Sequence, residues 1–173
     1  MRWLGGWLGL LVLLSACAPI SSMQPAAPAE GFGGSLALAA VLAAPDRGGS
    51  LPPPIPYAEV HWGDGEREFG LVYQVVMGGV YYKQRLAGDL SLRVMAGLPG
   101  PWYEGGVFYD LQDWTLAARY SAGYVTIGDD PDPHWVWMGV ASATYWLESV
   151  GLEAALLWSE GGVLPSIGVG ARF

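Results

Sequence analysis

The sequence predicts an all-β protein, an antiparallel up-and-down β-barrel of about ten strands with its apolar face turned outward, as a transmembrane barrel has it. Three observations predict this. From residue 31 to 173 no stretch keeps a helical apolar period; apolar residues instead alternate with small or polar ones. The composition is 52% hydrophobic and only 14% charged, where soluble chains carry about 25% charged residues. Turn signals separate the alternating runs, and short links take turns with longer ones.

The strands are expected at roughly 32–44, 57–62, 67–76, 79–86, 90–98, 105–111, 114–127, 135–147, 151–159 and 164–173. A different parse of 57–86 gives eight. Tight links are expected at 63–66, 87–89, 112–113 and 148–150. Looser ones fall at 45–56, 99–104, 128–134 and 160–163, with a short exception near Met77 and Gly78. Successive side chains of a strand point to opposite faces. In 90–98 one face is Leu90, Leu92, Val94, Ala96 and Leu98, and the other is Ser91, Arg93, Met95 and Gly97. The same division separates Ile167, Val169, Ala171 and Phe173 from Ser166, Gly168, Gly170 and Arg172.

Alternation alone does not say which face is outside, but composition does. A soluble exterior needs about 25–35% charged residues, whereas the less apolar face is mostly Gly, Ala and Ser, which suits a crowded interior. The opposite face, rich in Leu, Val, Ile, Trp and Tyr, suits lipid. Aromatic residues stand at strand ends (Trp62, Trp102, Tyr103, Trp114, Tyr124, Trp135, Tyr145, Trp146 and Trp158), where interfacial girdles are expected. The strand charges Lys83, Arg85, Arg93, Arg119, Arg172, Asp110, Glu153 and Glu59 all fall on the small-residue face. A basic residue facing lipid at mid-depth costs about 2–4 kcal/mol. An internal ionic network of Arg93, Arg119, Asp110 and Glu153, joined by Lys83, Arg85 and Arg172, is therefore expected to plug the lumen.

The N-terminus reads as an export signal over residues 1–16. Arg2 precedes an uncharged apolar run, 3–14, too short for the roughly 20 residues a spanning helix needs. Leu14, Ser15, Ala16 and Cys17 resemble a bacterial lipobox, and Cys17 is the only cysteine. By that resemblance Cys17 carries a diacylglyceryl thioether, and Ala18 behind it favours sorting to the outer membrane. The alternative is an ordinary cleaved signal with an incidental cysteine, although cleavage after Ala18 would place Pro19 just past the cut. Residues 17–31, rich in Pro, Ala and Ser after the cysteine, are expected to form a flexible tether. The barrel domain is then 32–173.

Taken together, the alternation, the alternating links, the aromatic strand ends and the last strand IGVGARF ending in Phe173 resemble the small bacterial outer-membrane β-barrel proteins. The terminal aromatic residue resembles the signal read by the barrel-insertion machinery. That resemblance implies an outer-membrane location, with membrane lipids and the insertion machinery as partners.

Catalytic and binding motifs are sparse. Eight Lys+Arg stand against 16 Asp+Glu, a net charge of −8, with no basic patch for nucleic acid. A single cysteine excludes an intrachain disulfide. His61 and His134 are the only histidines. No His-x-Ser shares a strand face, so no Ser/His hydrolase is expected and His61 reads as a polar lumen or interface residue. Asp129, Asp130 and Asp132 form the densest acidic run, a weak candidate for Ca²⁺; two prolines equally fit a rigid loop that binds nothing. No cofactor and no enzyme activity are expected. The function these features point to is a structural or interaction barrel of porin-like build with a narrow, side-chain-plugged lumen. A lipidated, soluble, lipocalin-like barrel holding a small apolar ligand is the first alternative, and a small pore the second.

Overall fold

The computed structural model describes residues 21, 23–42, 53–74, 77–98, 101–125, 134–160 and 162–173. The signal stretch 1–16, Cys17 and the acidic loop with Asp129, Asp130 and Asp132 lie outside the described residues. No helix among the described residues is long and apolar enough to cross a membrane.

Ten antiparallel strands close into a barrel: β1 (Glu30–Val41), β2 (Ile55–Asp64), β3 (Arg67–Gln74), β4 (Met77–Ala87), β5 (Leu90–Leu98), β6 (Trp102–Leu111), β7 (Trp114–Val125), β8 (His134–Leu147), β9 (Val150–Ser159) and β10 (Gly162–Arg172). Each strand pairs with its sequence neighbours, and β1 pairs with β10 to complete the ring. All ten expected strands are present, so the eight-stranded parse falls away. The expected link at Met77 and Gly78 is displaced, because both residues pair with β3 as part of β4.

One end of the barrel carries four two-residue turns, between β2 and β3, β4 and β5, β6 and β7, and β8 and β9. Each opens on a residue with positive φ: Gly65 (85°), Gly88 (52°), Gln112 (57°) and Glu148 (57°). That backbone hand matches the twist of a tight hairpin. Both ends of the β-domain lie here too, since Glu30 pairs with Asp64 and Phe173 exchanges two 3.0 Å backbone hydrogen bonds with Gly34. The C-terminal residue thus zips the closing seam.

The exterior is apolar around the ring. Phe32, Leu71, Val80, Leu98, Leu116, Trp135, Leu152 and Ile167 are all exposed. Contiguous apolar surface of this extent is unfavourable in water and natural against lipid. Outward aromatic rings pair across strands near the two rims, Trp62 with Phe69 and Trp114 with Tyr145 at the tight-turn end, Tyr124 with Trp135 at the other. Trp102 and Trp146, expected in these girdles, point inward instead and are 3% and 8% exposed. Strand phase decides this: Trp102 is in step with Glu104, and Trp146 with Thr144, both buried.

Candidate functional site: a lumen closed by the chain itself

The interior is built in layers. Toward the end of the longer connections, Val41, Ile55, Tyr57, Tyr81, Met95, Trp102, Met138 and Leu157 belong to one buried apolar cluster. Glycines make room for these large groups. A methyl at Gly70 would lie 2.3 Å from the Tyr81 ring, and one at Gly97 1.9 Å from Trp102 Nε1.

The middle layer is ionic. Arg93 donates to Glu104 Oε1, and Arg119 Nη1 lies 3.4 Å from Glu104 Oε2. Ser121 Oγ, 3.4 Å from the same oxygen, also donates to it. Lys83 Nζ lies 2.9 Å from Glu68 Oε1, which also accepts the Tyr81 hydroxyl at 2.7 Å. These side chains are at most 4% exposed, so each charge depends on its partner rather than on water. Arg93 also stands over the rings of Tyr81 and Phe108 at 5.3 and 5.2 Å, an attraction that strengthens when the cation is desolvated.

The third layer comes from the chain's own N-terminal segment. Ser21 and residues 23–29, part of the stretch expected to be a flexible tether, run inside the barrel near the tight-turn end. Ser21 donates to Glu153 of β9. Met23 packs on β10, where a methyl at Gly170 would come 2.6 Å from its sulfur. Gln24 Oε1 accepts from Arg93 Nη1 at 3.1 Å and Lys83 Nζ at 3.5 Å. Asp110 receives the N–H groups of Ala26 and Ala27 at 2.9 and 3.0 Å, and Glu68 receives that of Ala29 at 2.6 Å. The segment has no secondary structure of its own, so lumen side chains satisfy its backbone.

The expected lumen residues are therefore distributed differently from the sequence expectation. Arg93 and Arg119 meet on Glu104. Asp110 and Glu153 face inward as expected, but are held by the N-terminal segment, with Thr115 also donating to Asp110. Lys83 joins Glu68. Arg85 is displaced to the rim, where it lies 3.7 Å from exposed Glu66. Arg172 closes the tight-turn end, its guanidinium 4.5 Å over the Trp146 ring and donating to Glu148 O at 2.9 Å. Trp146 in turn donates to Thr115 Oγ1 at 3.0 Å.

Two partners escaped the sequence reading, Glu68 and Glu104. A strand beginning at 105 leaves Glu104 in the preceding link, whereas β6 begins three residues earlier, at Trp102. The phase Glu104, Gly106, Phe108, Asp110 marks it as inward once the strand begins at Trp102. Glu68 is in step with Gly70, Val72 and Gln74, all buried. His61 lines the interior, with Nδ1 2.9 Å from Glu59 Oε1, and Glu59 also accepts the Tyr57 hydroxyl. His134 is exposed at the start of β8.

No family model matches the sequence, and no curated protein matches it. Among solved structures the chain is similar to a mutant porin of Rh. blastica, at 14% identity and a TM-score of 0.43 over 84% of this chain and 52% of that one. It is similar to Pseudomonas aeruginosa OccK9 at 12% identity and a TM-score of 0.30, over 74% of this chain and 56% of that one. For Neisserial surface protein A the values are 15% and 0.31, over 82% and 94%. The chain thus spans about half the length of the first two, and the barrel is established here by its own strand ladders.

Proposed function

We propose that this chain is an outer-membrane β-barrel of structural or interaction type, exported by its N-terminal signal, lipid-anchored at Cys17, and closed to solutes by its own interior. The observation that carries the reading is the filled lumen. An apolar layer, the Arg93–Glu104–Arg119 cluster and the N-terminal segment lie in series across the passage. A ten-stranded barrel is wide enough for side chains or one small ligand, and here side chains and backbone take that room. The apolar exterior supports a membrane barrel over the lipocalin-like alternative. The lipid at Cys17 fits the placement of the segment. Ser21 sits beside Glu153, four residues from the turn at Ser149, and four residues of chain reach about 14 Å. Acyl chains on Cys17 would therefore enter the leaflet at the tight-turn end.

The test is conductance. The full-length mature protein, purified in detergent and inserted into planar bilayers, is expected to give no steady single-channel steps. Reproducible steps of one amplitude would overturn the closed lumen and make the protein a small pore.

A further inference from the structure

Beneath the N-terminal segment, at the tight-turn end, lies a cavity of about 520 Å³ whose lining includes Gln24, Ser35, Glu59, His61, Arg172 and Phe173. Glu59 and His61 stand at its wall, and Glu68 lies next to them. One ligand atom each from Glu59, His61 and Glu68 lies within 4.8 Å of the others. They come from adjacent strands: Glu59 and His61 are two apart on β2, hence on one face, and His61 pairs with Gly70, two residues from Glu68 on β3.

Two further observations point to a missing partner. Ser35, 1% exposed, lines the same cavity and is the cross-strand neighbour of Glu59, yet its hydroxyl has no hydrogen-bond partner among the described residues. Glu59 is itself buried, and among the described residues its only ion-pair partner is His61. One imidazole and one phenol touch this buried carboxylate directly, with Arg93 acting on it from farther away, and a buried carboxylate gains from a closer countercharge.

We infer that Glu59, His61 and Glu68 form a binding site for a divalent transition-metal cation of the Zn²⁺ class, entered from the tight-turn end of the barrel. His61 Nδ1 and Glu59 Oε1, now hydrogen-bonded at 2.9 Å, need to part by only about half an ångström, and the Glu68 oxygen to move in from within 4.8 Å, to surround a tetrahedral ion with bonds of about 2.0–2.1 Å. The cation takes the place of the hydrogen bond between those atoms. An imidazole with two carboxylates suits a borderline metal, whereas Ca²⁺ seeks six to eight oxygens. Glu68 is oriented by Tyr81, Lys83 and the N–H of Ala29, leaving one of about four acceptor positions for the metal. This is the outer-shell support that metal ligands generally have. Lys83, Arg172 and Arg93 are the cations facing Glu59 and Glu68, so a dication would be held by direct coordination to Glu59, His61 and Glu68 and not by net charge. Water and the Ser35 hydroxyl complete the coordination and its hydrogen bonds.

The experiment uses the mature full-length protein in detergent, stripped with a chelator and titrated calorimetrically with ZnCl₂, then separately with CaCl₂. One Zn²⁺ per chain is expected, with a rise in the thermal unfolding midpoint and at least tenfold weaker binding of Ca²⁺. His61→Ala is expected to fold with a lower unfolding midpoint than the parent, because Glu59 loses its ion-pair partner, and to bind Zn²⁺ at least tenfold more weakly, so that added Zn²⁺ no longer raises that midpoint. Co²⁺ in place of Zn²⁺ is expected to give visible absorption bands that His61→Ala loses. Absence of stoichiometric binding by the folded parent overturns the site. So does equal binding by His61→Ala, which would place the metal elsewhere, for instance at His134. If Glu59→Gln does not fold, His61→Ala and the Co²⁺ spectrum still decide. Conductance is silent on this site, so the two proposals fail independently.

Discussion

The carboxylate of Asp110 accepts the backbone N–H of Ala26 at 2.9 Å, although the two residues are 84 positions apart in the chain. The same carboxylate takes the N–H of Ala27, so one side chain on β6 fixes the middle of the segment that fills the lumen. This makes the segment part of the fold rather than an appendage. Asp110→Ala should therefore destabilise the barrel although it removes no cation's partner. Two partly buried N–H groups lose their acceptor, at about 1–3 kcal/mol each. The check is the denaturant midpoint of the protein in lipid vesicles, with Leu116→Ala on the lipid face expected to move it less.

The middle layer responds differently, because there the charges hold one another. Arg93→Leu leaves Glu104 with the more distant Arg119, and breaking a buried pair from one side costs about 3–5 kcal/mol. Arg119→Leu should cost less than Arg93→Leu, since Arg119 approaches Glu104 only to 3.4 Å. Both losses should exceed that of Leu116→Ala. Equilibrium unfolding of the three variants gives the order directly. A reversed order would mean that Arg119, not Arg93, carries the layer.

The strand pattern was legible because lipid and lumen impose opposite demands on alternate residues, which writes a period of two into the chain. Leu92, Val94 and Ala96 against Arg93, Met95 and Gly97 need no tertiary knowledge to be sorted. Girdle residues were less legible: aromatic character at a strand end does not say which face the ring takes, and Trp102 and Trp146 obey strand phase. The N-terminal segment was the least legible, because its burial comes wholly from partners far away in sequence. One signal was present. No charged residue occurs between Ala18 and Ala29, unusual for a solvated linker and natural for a chain lodged against Gly168 and Gly170. Arg93 and Arg119 are in step with the small inward residues of their strands, but Glu104, which both approach, becomes legible only with β6 starting at Trp102.

Anchoring separates into two contributions. Cys17→Ser is expected to abolish incorporation of labelled fatty acid and processing by the lipoprotein signal peptidase. The apolar exterior remains, so the variant should still fractionate with membranes and need detergent for extraction. Recovery of the variant in the soluble fraction would show that the acyl chains are the sole anchor, and would remove the case for strands facing lipid.

The closing prediction concerns what the N-terminal segment seals. Deleting residues 21–29 from the mature chain removes the donors that serve Asp110, Glu153 and Glu68, and withdraws Gln24 from Arg93 and Lys83. The barrel should be less stable, and cysteines placed on the inner wall near the tight turns, at Ser35 or Gly170, should react faster with a water-soluble maleimide than in the full chain. Yet the deletion alone should not open a steady ion path. Glu104 still joins β5 to β7 through Arg93 and Arg119, and beyond it Tyr57, Trp102, Met138 and Leu157 still meet in one apolar cluster. An ion would have to cross that layer without water, which charge forbids at any useful rate. Deletion combined with Arg93→Ala and Trp102→Ala should be needed before single-channel steps appear in planar bilayers. Steps from the deletion alone would make the N-terminal segment the gate, and the inner layers merely its support.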